Sequence, residues 1–160
     1  MRFRHEQKYD AAPAQVHAML ADRAFRESVC RAQHARTAAV DVERSTEQMT
    51  VLVDQTRPSE GLPGFARKIV GDEIRVVQRE TWSDSSAAAL EVTIPGKPGR
   101  LQGTIALSGD AGRTVQAIDG ELTVQVPLLG AKLESLISEL LGEALEAEQE
   151  VGRRWLAGDR

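Results

Sequence analysis

The sequence predicts an α+β protein in which a curved, seven-stranded antiparallel sheet wraps around one long C-terminal helix. Three observations lead to this prediction. Short segments with a side-chain period of two, typical of strands, follow one another through residues 38–126. Two helical segments separate the first strand from the others, and residues 129–156 have the apolar spacing of a helix. Helices at the ends of an antiparallel run indicate an α+β arrangement, which we expect to form one domain over residues 1–160.

The N-terminal region predicts one strand followed by two short helices. Residues 3–9 place aromatic side chains on one face and charged side chains on the other, so they form the first strand. Asp10 is expected to cap a short helix with Pro13 in its first turn, where the missing N–H costs nothing. A second helix follows from about Asp22 to Gln33.

The central region predicts six further strands with one interruption. The alternating segments lie around residues 38–42, 49–53, 73–82, 90–94, 101–107 and 118–126. The first two of these segments form a hairpin around a polar turn. The segment 58–64 is dense in proline and glycine, and together with a helical turn at 65–70 it interrupts the succession of strands.

The C-terminal region predicts one long amphipathic helix from Leu129 to about Leu156. Its apolar residues fall within an arc of about 100°, and glutamates populate the opposite side. Arg153 and Arg154 near its C-terminal end complement the helix dipole. We therefore expect one face of this helix to be buried against the sheet.

Composition and charge exclude several classes of function. Hydrophobic residues make up 41% of the chain and charged residues 28%, as in ordinary soluble proteins, and there is no apolar run that could insert stably into a membrane. The net charge of -4 lacks the positive field that nucleic acids require. Cys30 is the single cysteine, and His17 and His34 are not at metal-ligand spacing, so no metal or cofactor is expected. The N-terminus has no signal-peptide core, which predicts a cytoplasmic protein.

Three segments of the chain resemble a known family. They read LPGFARKIVGDEIRVVQRETW, VTIPGKPGRLQGTIAL and VQVPLLGAKLESLISELLGEALEAEQEVGRRWLAG. They are similar to an actinobacterial family of domains of unknown function, number 2505, and the order of elements looks like the START-like superfamily, also called Bet v 1-like or SRPBCC. The resemblance spans nearly the whole chain. It implies a helix-grip fold with an internal cavity for lipids, sterols, polyketides or similar apolar molecules, but no particular chemistry.

A cavity is also expected because a concave sheet against a rod leaves space that large side chains must fill, and the chain is only 4% aromatic. Gln78, Glu80 and Trp82 share one strand face with Ile74 and Val76. If this face is concave, Gln78 and Glu80 orient a ligand's polar head and Trp82 lines the pocket. Otherwise the two polar residues face outward or pair with neighbouring strands, and Trp82 is a core residue. The full set of candidates is Gln78, Glu80, Trp82, Leu122, Val124, Leu133, Ile137 and Leu140.

Other polar residues have two interpretations each. His5 and Gln7 share the strand face of Tyr9, so they either project toward a ligand or are ordinary core residues with satisfied hydrogen bonds. Glu148 lies at the margin of the apolar arc of the last helix. There we expect a rim carboxylate that reaches water, whereas burial would raise its pKa and make it a functional candidate.

Leu62 and Phe65 are candidate lid residues, because proline and glycine hinges flank them in the segment that interrupts the strands. The alternative is a static, well-packed connector.

The leading functional hypothesis is a noncatalytic carrier or sensor of a small hydrophobic molecule, because the chain lacks any catalytic motif. A second hypothesis is a cyclase or dehydratase that uses His5, Tyr9 or Glu80 as acid or base in the same cavity. A third is a protein-interaction module, which predicts an exposed apolar patch of roughly several hundred Å². Enzymatic activity, ligand identity and oligomeric state stay open at this point.

Overall fold

The computed structural model describes residues 1–160, and all seven predicted strands form one antiparallel sheet. The strands are β1 (Arg2–Tyr9), β2 (Thr37–Arg44), β3 (Met49–Pro58), β4 (Glu73–Trp82), β5 (Ala87–Thr93), β6 (Gly99–Asp110) and β7 (Arg113–Val124). Their order across the sheet is β1-β7-β6-β5-β4-β3-β2. Neighbours in sequence therefore pair throughout, except that β1 pairs with β7 and leaves β1 and β2 at the two edges.

Four helices accompany the sheet, and the two short helices after the first strand are confirmed. The helices are α1 (Pro13–Leu20), α2 (Arg23–Ala32), α3 (Gly64–Val70) and α4 (Gly130–Leu156). The α+β helix-grip class is therefore the observed one. None of the four helices combines the length and apolar composition that crossing a membrane requires.

The structure differs from the prediction at the start of α1. The helix is capped by Ala12 and not by Asp10, and the Gln15 side chain accepts a hydrogen bond from the Ala12 N–H at 3.0 Å. The residue before a proline is restricted to extended conformations, so the helix begins at Pro13 and its cap is the residue immediately before it. Asp22 caps α2, because its carboxylate accepts a hydrogen bond from the backbone N–H of Ala24.

A pair of glycines lies in the ladder between β6 and β7. Gly103 is directly opposite Gly120 in the ladder, and a Cβ atom built at Gly103 would lie 2.1 Å from the carbonyl oxygen of Asp119. Two backbones can approach this closely only without side chains. The pair therefore permits a close approach of β6 and β7 that any side chain at these positions would prevent.

Helix α4 lies across the concave face, and its two halves are packed differently. The C-terminal half has a fully buried face: Trp155 packs edge to face against Phe25 of α2, with ring centroids 5.6 Å apart, and Gly152 lies against Tyr9 of β1. The middle of the helix is only partly buried, although Ile137 and Leu140 face the sheet. The reason is an open space between the middle of α4 and the sheet.

Candidate functional site

The larger of two adjoining cavities lies between the sheet and the middle of α4. It has a volume of about 200 Å³ and is partly open to solvent. Since a water molecule needs only about 10–15 Å³ of such volume, this space is far larger than an ordinary packing void. Its apolar wall consists of Ile74, Val76, Val92, Ile94, Leu101, Leu122, Ile137, Leu140, Leu141 and Ala144. The only charged residues around it are Arg57, Glu60 and Arg100.

A smaller chamber of about 60 Å³ lies deeper, between the concave face of the sheet, α2 and α4. It shares Arg57, Val76, Val92, Leu101, Leu141 and Ala144 with the larger cavity, so the two are neighbours across a common wall. Its own lining includes a set of polar side chains: Arg26, Gln33, Gln55, Gln78, Glu80, Gln116 and Glu148. The site as a whole is therefore an apolar cavity that adjoins a polar chamber.

A buried ion pair joins α2 to β4 at this chamber. The Arg26 guanidinium donates two hydrogen bonds to the Glu80 carboxylate, at 2.7 and 2.8 Å, and its Nε donates to the Leu20 carbonyl at 2.7 Å. Both side chains are at most 3% exposed. Burial acts to lower the pKa of Arg26, but the negative charges of Glu80 and Glu148 outweigh it and the pKa is raised.

Glu80 has no free acceptor site left for a substrate. Besides the two bonds from Arg26, one oxygen accepts from the Trp82 indole N–H at 3.0 Å and the other from the Gln78 amide at 2.6 Å. A carboxylate offers about four acceptor positions, and here all are used. These residues lie on the concave face of β4. Glu80 nevertheless holds α2 against β4 and has no lone pair available to act as a catalytic base.

Glu148 is buried, so its predicted position at a solvated rim is wrong. It is only 6% exposed, it accepts a hydrogen bond of 2.7 Å from the Gln7 amide, and it lies 3.7 Å from Arg26. Gly152, one turn further along, lets α4 approach β1 closely enough to enclose it. Burial raises the pKa of Glu148, because Arg26 is already committed to Glu80 and offsets the loss of hydration only in part.

Tyr9 adds a second buried titratable group beside Glu148. Its hydroxyl has no hydrogen-bond partner, and burial together with the Glu148 charge raises its pKa. Gln7, on the same strand face, also donates to the Leu145 carbonyl at 2.9 Å. His5 is only partly buried and does not reach the chamber lining.

Arg57 stands at the boundary between the cavity and the chamber without an acidic partner. Its terminal nitrogen donates to the Gln33 side-chain oxygen at 3.2 Å, and its Nε is buried without any partner. Burial lowers the pKa of Arg57, and the only charge effect opposing this comes from Cys30. The side-chain oxygens of Gln55 and Gln116 nearby are likewise buried without donors.

The segment from Ser59 to Asp72 covers one end of the larger cavity. The Ser59 hydroxyl donates to the Gly71 carbonyl at 2.6 Å, and its N–H donates to the Asp72 carbonyl, so the base of the segment is closed. Gly61 and Gly71 have φ angles of 87° and 84°, which other residues rarely adopt. Leu62 lines the cavity, whereas Phe65 packs beneath the ammonium of Lys132.

The structure distributes the eight predicted cavity residues over four places. Leu122, Ile137 and Leu140 line the larger cavity, and Gln78 and Glu80 line the polar chamber. Val124 and Leu133 line a space of about 50 Å³ beneath α3, which adjoins the larger cavity and shares Leu62, Ile137 and Leu140 with it. Trp82 occupies the core position of its two alternatives, where its ring meets His17 edge to face at 5.1 Å. Ligand contact by any of these residues stays a prediction.

Sequence reasoning missed the two arginines of the chamber, Arg26 and Arg57, although each had a signal. Arg26 occurs on the apolar face of α2, three and four positions before Val29 and Cys30, where a charge is unusual. Arg57 has the same strand parity as Val51 and Val53, which predicts an inward side chain. In both cases the signal was a charged residue on an otherwise apolar face.

Comparison by sequence identifies the family. A family model described as a protein of unknown function (DUF2505) matches residues 4–156. An uncharacterized protein of Mycobacterium tuberculosis is 27% identical over 107 residues, which are 63% of this chain. The matched region spans 62% of the length of that relative.

Comparison by structure gives the same fold. A START superfamily protein of Mycobacterium smegmatis superposes with a TM-score of 0.61 at 12% identity, over 97% of this chain and 98% of that one. An aromatase/cyclase of Streptomyces sp. R1128 has a TM-score of 0.57 at 15% identity, over 98% and 95%. At such identities the similarity shows the START-like helix-grip fold alone. The family model, by contrast, matches nearly the whole length of the chain, and the chain therefore belongs to the DUF2505 family.

Proposed function

We propose that this protein binds and carries a small hydrophobic molecule in the cavity between the sheet and α4. The observation that supports the proposal is the apolar space of about 200 Å³ itself. Protein interiors are normally packed to the density of organic crystals, and an unfilled apolar space of this size forgoes favourable contacts. A ligand of matching polarity restores those contacts.

The surface gives less support to the interaction module. Among large hydrophobic residues only Met1 and Leu128 are exposed. Two such residues do not make a contiguous patch of roughly several hundred Å², the size that marks docking surfaces. The apolar area that this protein leaves unfilled is inside the cavity.

Titration with a neutral apolar dye such as Nile red tests the proposal, with two variants of α4 for comparison. Leu140→Trp adds bulk inside the cavity, whereas Glu139→Trp adds the same ring on the exposed side of the helix. We expect the first variant to bind the dye about tenfold more weakly and the second to bind like the wild type. Equal affinity in all three proteins would contradict the proposal. Native mass spectrometry of protein from its own host, followed by organic extraction, then identifies the natural ligand.

The segment Ser59–Asp72 is proposed as the lid of this cavity, with Leu62 and Phe65 as its apolar residues. The hydrogen bonds that close the base of this segment, to the carbonyls of Gly71 and Asp72, are both made by Ser59. Ser59→Ala should therefore accelerate hydrogen exchange within the segment and ligand release, with little change elsewhere. Ser86→Ala, which removes a hydroxyl from an exposed turn, is the matched control. Unchanged exchange in Ser59→Ala would support the static connector.

A second candidate is an enzyme of the cyclase kind, and it is favoured by Glu148. This carboxylate lines the polar chamber and has a raised pKa, so a ligand that extended inward from the larger cavity would reach it. Incubation with a short poly-β-keto ester, followed by chromatography of the cyclised product, tests this candidate. Product should form faster than in buffer and at the buffer rate with Glu148→Gln. Formation at the buffer rate with the wild type would exclude cyclisation of this substrate class.

A further inference from the structure

The charge of Arg57 has a bearing on which hydrophobic molecule the cavity accepts. We infer that the ligand is an amphipathic monocarboxylate whose carboxylate pairs with Arg57, while its apolar part fills the larger cavity. This inference rests on the proposed carrier function and adds the chemical class of the ligand.

Arg57 is a cation whose surroundings are incomplete. The residue is partly buried, its Nε has no hydrogen-bond partner, and its one side-chain bond, to Gln33, is long at 3.2 Å. The guanidinium stays protonated at neutral pH. A buried charge without a counter-ion is costly, and proteins normally pair such a group.

No carboxylate of the chain supplies the missing counter-ion. Glu60, the only acid around the larger cavity, is exposed and pairs with Arg36 at 3.7 Å. Glu80 is fully engaged by Arg26 and its neighbours, and Glu148 lies next to Arg26 as well. The two arginines that line the chamber thus differ: Arg26 has acids of the protein as partners, and Arg57 has none.

The position of Arg57 defines how such a ligand lies. The residue lines both spaces, so a carboxylate bound to it would be at their common wall. A hydrocarbon tail then runs along Ile74, Ile137 and Leu140 toward the open side. One guanidinium matches one carboxylate, because the two planar groups form two parallel hydrogen bonds.

Calorimetric titration with decanoate and decanol at neutral pH tests the inference, because the two probes share a chain length and differ in charge. We expect the wild type to bind decanoate about tenfold or more tightly than decanol. Arg57→Gln should remove this preference and retain decanol binding. Arg75→Gln, which removes an exposed arginine paired with Asp54 outside the cavity, should keep the preference.

The outcomes separate this inference from the proposed function. Equal affinity of the wild type for both probes, or a preference that survives in Arg57→Gln, overturns the inference and leaves the carrier function intact. If neither probe binds to the wild type, the carrier function fails and the inference with it. Circular dichroism establishes that each variant is folded. If Arg57→Gln does not fold, two other results test the inference. These are the preference of the wild type for decanoate over decanol and the preference of Arg57→Lys, which keeps the charge without the planar guanidinium.

Discussion

At the residue scale, the ion pair between Arg26 and Glu80 contributes more to position than to net stability. Desolvating two charges costs about as much as their attraction returns, so a buried pair is seldom a large stabilising factor. The pair does link two elements that are 54 positions apart in the chain, α2 and β4, with two short hydrogen bonds. It thereby determines where α2 lies over the sheet.

Removing one partner of this pair should be far more harmful than removing an exposed arginine. Arg26→Met leaves the Glu80 charge buried without its counter-ion, which costs about 3–5 kcal/mol of unfolding free energy. Arg23→Met, on the same helix, breaks only an exposed pair with Glu27 and should cost less than about 1 kcal/mol. Urea unfolding measures both. Similar losses of unfolding free energy in the two variants would mean that Glu80 does not need Arg26 as its counter-ion.

Glu148 should make stability depend on pH. Because burial raises its pKa in the folded protein, the folded state holds the proton more tightly than the unfolded state does. Its stabilising contribution is therefore complete below the unfolded pKa of about 4.3 and is lost as pH rises through the raised folded pKa. Glu148→Gln cannot titrate, so its unfolding free energy should fall less between acidic and neutral pH than that of the wild type.

The control for this pH dependence lies on the same helix. Glu146→Gln changes an exposed carboxylate and should give a stability curve parallel to that of the wild type. Urea unfolding over a series of pH values gives the three curves. If the Glu148→Gln curve is also parallel to the wild type, the carboxylate is not enclosed as the structure describes.

At the element scale, α4 is one helix with two environments. Its C-terminal half packs tightly against β1, α1 and α2, while its middle faces the cavity. A glycine lies in each part: Gly152 against Tyr9 and Gly142 with free space around its Cα. The two glycines allow the packing of the helix to be tested with a single type of substitution.

Alanine at these two positions should have opposite effects on stability. A Cβ atom at residue 152 would lie 2.6 Å from Cε1 of Tyr9 and 3.1 Å from Cε of Met19, so Gly152→Ala should cost about 1–3 kcal/mol. A Cβ atom at residue 142 meets nothing within 4 Å, so Gly142→Ala should stabilise by about 0.5–1 kcal/mol through helix propensity. Thermal and urea unfolding compare the two. Stabilisation by both changes would show that α4 does not lie close to β1.

At the scale of the whole molecule, the cavity separates the sheet from α4 over the middle of the fold. The protein is held together around it, by the C-terminal half of α4 at one end and by the packing of α3 against Leu133 and Val124 at the other. Apolar contacts that a close-packed interior would make are therefore missing over the middle of the fold. Stability should rise when the cavity is filled.

Saturation with an apolar ligand should raise the melting temperature. At a free ligand concentration of about 100 times Kd, binding to the native state alone adds about 2.7 kcal/mol. In a chain of this size that corresponds to an increase of roughly 5–10 °C. Differential scanning calorimetry measures the shift, with Leu140→Trp as the variant that should show little. A ligand that binds the wild type without raising its melting temperature would bind the unfolded chain equally well.

The sequence by itself determined the elements of this protein and the apolar face of the long helix, while it left open which face of Glu73–Trp82 is concave. Strands such as Glu73–Trp82 and the long helix α4 follow from periodicity, which is a local property that neighbouring residues encode. The helix-grip fold and the apolar candidates Leu122, Ile137 and Leu140 could therefore be predicted. Helix α1 and the proline in its first turn were also predicted, but the predicted cap residue, Asp10, was wrong.

The tertiary structure alone decided which polar residues meet. Arg26 finds Glu80 at a separation of 54 residues, and Gln7 finds Glu148 at 141, and no periodicity encodes such distances. The depth of Glu148 depends on how closely α4 approaches Tyr9, and the isolation of Arg57 depends on where every acid of the chain ends up. Burial and charge pairing are sums over distant neighbours, so they exist only once the chain has folded.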